Sequence, residues 1–205
     1  MQLFWDDDKG YGYFPVDPED WPYDASYFAK YVGYGQSALG KEITQIRKRI
    51  VEQHIPNGET ILDFGIGSGD FVKALREEGR NVYGYDVNGT AIEWLMKQGL
   101  YKRPVSQVYA MTFWDSFEHI PRPDKIMFNI QRYVFMSIPI FKDRNDALKS
   151  KHFRRDEHYW YFTHEGLVEF MRMHGFKLEW HGEPESAVGR ECIRSYTFTR
   201  TPFAA

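Results

Sequence analysis

Three glycines, Gly65, Gly67 and Gly69, alternate through a short segment flanked by Asp63 on one side and Asp70 on the other. Glycines let a backbone approach a bound molecule closely, and a helix starting there offers unpaired N–H groups with positive dipole character. A further acid, Asp86, follows Gly65 by 21 residues. An acid ending the next strand can accept both hydroxyls of a ribose. The spacing is G-x-G-x-G rather than the dinucleotide G-x-G-x-x-G, and no G-K-[ST] follows, which excludes a P-loop. The flanking acids repel a pyrophosphate, with no Lys or Arg to compensate before Lys73. They match a ligand carrying an ammonium and a carboxylate beside its ribose.

Other groups able to do chemistry lie further along. His119 reads as a general base or as a structural, capping residue, and Asp115 as a ligand contact or a helix cap. Five histidines (His152, His158, His164, His174, His181) fall in the last third without a compact metal motif such as H-E-x-x-H, and Cys192 is the single cysteine, so no metal is expected. Residues 151–162 crowd titratable and aromatic side chains, with His158 and Glu157 as candidate bases and Arg154 and Arg155 either gripping an anionic acceptor or simply solvated. Tyr23, Tyr27 and Tyr31 recur every four residues, a helical stripe that serves as packing or as a lid excluding water.

The elements that must position these groups follow from periodicity. Leu39, Ile43, Ile46 and Ile50 mark a helix over 37–54, with Arg47, Lys48 and Arg49 falling largely elsewhere. Residues 60–64 read as a short buried strand before the glycines. A helix over 70–78, a strand over 81–86 and a helix over 90–97 come next. A strand over 108–114, a helix over 124–131 and a strand over 133–138 precede a long polar loop over 140–162. Thr163 caps a helix through His174, and strands over 176–180 and 192–199 finish the chain. The expected fold is α/β: a Rossmann-like, doubly wound, mostly parallel sheet with an antiparallel C-terminal strand pair.

Of 205 residues, 18% are aromatic and 42% hydrophobic, which excludes a disordered chain. Eleven aromatics fall in residues 1–34, which carry a formal charge of −5 against +2 for the remainder. Residues 1–36 are therefore expected to form an acidic, aromatic-rich leader packing as a lid, and residues 37–205 the main domain. A net charge of −3 gives no basic field for nucleic acid. A lone cysteine fits a reducing cytoplasm. No apolar run approaches the ~20 residues of a membrane span, and the first eight residues lack the pattern of a signal peptide.

S-adenosylmethionine is a ligand of the kind the loop calls for, with an amino-acid end, a ribose and a sulfonium. Residues 61–71 (ILDFGIGSGDF) resemble the first motif of the class I S-adenosylmethionine-dependent methyltransferases. Residues 82–88 (VYGYDVN) resemble their second-strand motif, residues 113–121 (FWDSFEHIP) the fourth-strand segment of a small-molecule branch, and residues 164–176 the late helix ending in Gly-Phe. The likeness covers about residues 59–180. It implies S-adenosyl-L-methionine as cofactor, S-adenosyl-L-homocysteine as product and methyl transfer to a small-molecule acceptor. It also implies cofactor contacts from Asp63, Gly65, Ile66, Gly67, Gly69, Asp86, Val87, Phe113, Trp114 and Asp115, with Asp63 and the glycines at the methionyl end and Asp86 at the ribose. One departure stands out. Only residues 100–107, without an acid, are left for the family's third strand, which is expected to be short or absent. Adenine recognition then falls to backbone, aromatic faces or the leader. Nucleic-acid methylation remains an alternative, opposed by the acidic leader and the lack of an N/D-P-P-Y/F tetrad. A non-catalytic cofactor-binding or interaction protein is the other.

Overall fold

The leader begins as a hairpin. In the computed structural model, which describes residues 2–16 and 23–201, strand β1 (Phe4–Asp6) pairs antiparallel with β2 (Tyr11–Tyr13). Residues 17–22 of the expected lid, Trp21 among them, lie outside the described residues. Helix α1 (Ala25–Gln36) follows, capped by the Asp24 carboxylate, which accepts from Tyr27 N at 2.9 Å. Helix α2 (Ala38–Glu52) starts at Ser37, whose hydroxyl accepts from Gly40 N, and buries Ile43, Ile46 and Ile50.

The sheet core then builds as its apolar strands dictate. β3 (Ile61–Phe64) leads through the glycine loop into α3 (Asp70–Glu77). β4 (Val82–Tyr85) leads into α4 (Gly89–Lys97), capped by Asn88. β5 (Val108–Trp114) is followed by a 3-10 turn at Phe117–His119 and a single helical turn, α5 (Asp124–Met127). β6 (Ile130–Pro139), α6 (Arg144–Lys149), β7 (Trp160–Phe162), α7 (His164–Met173), β8 (Phe176–Gly182), α8 (Pro184–Ala187) and β9 (Ile193–Arg200) complete the chain.

Six strands form one sheet in the order β4-β3-β5-β6-β9-β8, in which β9 alone runs against the others. The fold is the expected Rossmann-like α/β arrangement. The order reverses at β3, whose neighbours β4 and β5 lie on opposite sides, and such a switch point opens a crevice at the carboxyl ends of the strands. Side chains alternate between two apolar layers. Ile61, Ala110 and Phe135 pack against α2, α3 and α4, whereas Leu62, Met111 and Met136 pack against α7. The third strand is reduced to an isolated bridge between Gly84 and Tyr101.

Two segments differ from the sequence expectation. The helix over 124–131 stops after one turn, because Ile130 already pairs with Val108 in the parallel ladder and the Arg200 guanidinium takes the Met127 and Ile130 carbonyls, each at 2.6 Å. The loop over 140–162 is not irregular throughout. Asp143 caps α6 within it, and β7 joins β2 in a three-stranded sheet with β1. That hairpin pairing explains where the leader's aromatics go: Tyr11 packs on Trp160, Phe162 and Phe170.

Candidate active site

A cavity of about 450 Å³ opens at the carboxyl ends of β3, β4 and β5, within the roughly 300–1,000 Å³ typical of small-molecule sites. Its floor is local in sequence. Gly65 leaves β3 at φ 82°, a left-handed conformation, and a Cβ there would lie 2.6 Å from Ser116 Cβ. Only glycine fits both conditions. The Asp86 carboxylate holds the turn from the next strand: its Oδ2 accepts from Ile66 N and its Oδ1 from Asn88 N, both at 2.9 Å. Burial raises its pKa against the pull of those two N–H groups. A carboxylate has about four acceptor positions, so Asp86 can still receive ligand hydroxyls. Asp63 is buried one layer below, accepting from Thr112 Oγ1 at 2.6 Å, and burial pushes its pKa up to about 7.

Helix α1 roofs the cavity. Tyr23, Tyr27, Phe28, Tyr31 and Tyr34 all face it. At Gly35 a side chain would run into Asp70 and Ser68 of the glycine loop, so the helix crosses that loop at backbone distance. Asn88 Nδ2 donates to Asp24 O at 2.8 Å and ties the roof to the Asp86 turn. The Tyr27 hydroxyl lies 3.3 Å from both Tyr31 OH and Glu157 Oε2, within hydrogen-bond reach of each.

The far wall is a charge cluster invisible in the sequence. Arg47, read from periodicity as lying off the buried face of its helix, is half-buried against two acids. Its Nη2 meets Asp115 Oδ2 at 2.6 Å and its Nε meets Glu185 Oε1 at 2.8 Å. Arg190 binds the same two acids, with Nη2 at 2.9 Å from Asp115 Oδ1. Ser137 donates to the fully buried Glu185 at 2.6 Å. Burial alone would raise the Asp115 pKa, but the Arg190 and Arg47 guanidiniums outweigh it and hold the carboxyl well below the ordinary range. Asp115, expected at the cofactor, lines the cavity with its carboxylate committed to two arginines, on a backbone at φ 55°. Beside it Trp114 stacks under the Arg47 guanidinium, 5.2 Å from the ring centroid, and its buried indole N–H finds no acceptor among the described residues.

Of the sequence candidates, Asp63, Gly65, Ile66, Gly67, Asp86, Val87, Trp114, Asp115, His119 and His158 meet at this cavity. Three stand off it. Phe113 is fully buried against Phe64 and Phe117, because alternation along β5 turns it away from the face that Trp114 occupies. Gly69 sits against the Trp94 ring at the start of α3. Glu157 points to Arg154 and Tyr27. His119, His158 and the buried Glu118 complete the lining, with Tyr23 OH 3.0 Å from His119 Nδ1. The two imidazole rings meet edge to face at 4.6 Å. Burial lowers the pKa of both histidines and raises that of Glu118 to about 8.

A family model described as a methyltransferase domain matches residues 33–180. No curated protein matches the chain. Among solved structures, a chain of the complex between the Haloferax volcanii Trm112 methyltransferase activator and a methyltransferase superposes with TM-score 0.64 at 12% identity, covering 88% of this chain and 98% of that one. The Burkholderia thailandensis 1,6-didemethyltoxoflavin-N1-methyltransferase gives 0.60 at 15% identity, covering 87% and 85%. The magnesium protoporphyrin IX methyltransferase of Synechocystis gives 0.59 at 14%, covering 86% and 94%. At these identities the superpositions establish a shared fold, and the family match spans most of the sequence. The chain belongs to the methyltransferase-domain family and carries its class I α/β fold.

Proposed function

We propose that the protein transfers a methyl group from S-adenosyl-L-methionine to a small-molecule acceptor enclosed between helix α1 and the carboxyl ends of the sheet. The observation that carries this reading is the pairing of a glycine cradle with a ribose-type acid on one wall of a roofed cavity. The residues fit the cofactor: Asp86 keeps acceptor positions for two hydroxyls, and Trp114 offers a buried N–H that lacks an acceptor among the described residues. In this account the main chain of residues 65–69 receives the methionyl carboxylate, and Asp63 balances the ammonium. The bound cofactor supplies an already activated methyl group, so the chain's task is alignment and exclusion of water. The tyrosines of α1 present ring faces to a sulfonium, worth ~0.5–2 kcal/mol. Support for a small acceptor comes from the enclosed volume and from a roof of aromatic rings in place of a basic groove. Of the candidate bases, His158 and His119 reach the cavity, and Glu157 positions the lid through Tyr27.

The test is thermal unfolding with S-adenosylmethionine, S-adenosylhomocysteine or NAD. Either of the first two at 100 times its Kd is expected to add ~2.7 kcal/mol. A shift with NAD alone would overturn the assignment, and no shift with any of the three would return the chain to an interaction role.

A further inference from the structure

The turn Phe117–His119 and the segment leading into β7 meet at one end of the cavity, bringing together Glu118, His119 and His158. One donor atom from each, a carboxylate oxygen and two imidazole nitrogens, lies within 4.8 Å of the others. We propose that these three side chains bind a divalent first-row transition-metal ion.

Four observations carry it. Glu118 is 1% exposed, and among the described residues its Oε2 has no hydrogen-bond partner although two histidines stand beside it. A buried carboxylate oxygen is costly to leave unmatched, and a cation is the partner this geometry provides for. The backbone fixes the cluster: Tyr159 N donates to Glu118 O at 2.8 Å and joins the two segments, and His158 N donates to Arg154 O at 2.9 Å and closes the turn that carries His158. The His119 ring is held from behind, with Nδ1 at 2.9 Å from the Glu157 carbonyl and 3.0 Å from Tyr23 OH. Donation from Nδ1–H to that carbonyl leaves the lone pair on Nε2, the outer-shell arrangement that orients metal-binding histidines. Finally, all three side chains line the cavity, so further coordination positions open inward, as catalytic metal sites require.

Two nitrogens and one carboxylate suit Zn²⁺, Fe²⁺ or Mn²⁺ and disfavour Ca²⁺ and Mg²⁺, which take oxygen ligands. Ligand distances of about 2.0–2.2 Å mean that closing on an ion takes side-chain adjustments of about 1 Å. An ion held there would offer its open positions to an oxygen or nitrogen of the acceptor. That use rests on the methyltransferase reading; the binding does not.

The experiment takes the full chain, stripped with a chelator, and adds Co²⁺ or Zn²⁺ without cofactor. Co²⁺ is expected to give visible d–d bands saturating at one equivalent. Zn²⁺ should displace it and shift the ring-nitrogen NMR signals of His119 and His158 while leaving those of His164 and His181 in place. Glu118→Gln and His158→Gln, with folding verified by circular dichroism, should each weaken Co²⁺ binding at least about tenfold. His181→Gln should bind as the parent does. Absent bands in the parent protein, unmoved His119 and His158 signals, or bands unchanged in both cluster variants would each overturn the site. None of these readouts involves methyl transfer, so failure here is separate from failure of the proposed function.

Discussion

The wall of the cavity around Asp86 draws on residues 63–88, which bring the glycine loop and the Asp63 and Asp86 carboxylates together within one short stretch of chain. The rest of the lining gathers Arg47, Asp115, Glu118, His119, His158 and Arg190 from across the chain, and their charged or imidazole side chains set its character. The first wall is held by backbone geometry: positive-φ glycines and two N–H groups on Asp86. The second is held by charge, two arginines against two acids with little water to screen them. A wall of main chain suits a ligand common to a whole family, whereas a wall of side chains can vary with the acceptor. The contrast makes different demands on stability and on binding, and each demand can be broken separately.

The largest expected effect is on the charged wall. Glu185→Ala leaves Arg47 and Arg190 sharing a single acid, and breaking such a buried pair costs roughly 3–5 kcal/mol. Chemical denaturation should show that loss; a change below ~1 kcal/mol would mean that water screens the cluster. On the Asp86 wall, Gly65→Ala forces a left-handed alanine against Ser116. We expect a loss of roughly 1–3 kcal/mol from backbone strain, with cofactor affinity falling further than stability does. Equal tolerance of alanine at Gly65 and at the open Gly79 would refute the close approach.

The third prediction concerns pH. Asp63 has a native pKa of about 7 against an ordinary 3.8, so the folded state binds the extra proton between those values. Its contribution to stability is therefore highest below pH 3.8 and declines as pH rises toward 7, where the buried carboxylate ionises. A ligand ammonium beside it favours the ionised form and releases a proton. Calorimetry at pH 6 in buffers of different ionisation enthalpy should detect that release, and Asp63→Asn should abolish it; identical heats in all buffers would place the ammonium elsewhere. The smallest effect belongs to the roof. Tyr27→Phe removes hydroxyl contacts to Tyr31 and Glu157 but leaves the ring, and should cost ~0.5–1.5 kcal/mol in stability. A far larger loss would make those hydroxyls the main anchor of α1.

The same contrast decides what was legible in the sequence. Gly65, Gly67, Gly69 and Asp86 could be read because a strand, a turn and a helix start lie within one short run, and the shortage of chain after Gly99 gave the missing third strand. Glu118 and His119 were visible as a motif, but their partner His158 comes 39 residues after His119, with β6 and α6 between. Nothing in periodicity marks such a meeting. The role of Arg47 is hidden because a helix pattern orders apolar residues and says nothing of the acids that Asp115 and Glu185 bring to it. Phe113 and Trp114 are neighbours in the motif, but the period of two in β5 sends their rings to opposite faces, so only Trp114 reaches the cavity. The leader's hairpin was hidden because its partner strand, Trp160–Phe162, lies some 150 residues away.

The central claim is that the Asp86 wall binds S-adenosylmethionine or its product through the ribose. Isothermal titration of S-adenosylhomocysteine into the parent protein and into Asp86→Ala tests it directly. One site per chain is expected and, from two lost charge-assisted hydrogen bonds at ~1.5–3 kcal/mol each, an affinity at least about 100-fold weaker in the variant, with the variant folded. Equal affinity in the two proteins, or no binding to the parent, would contradict it.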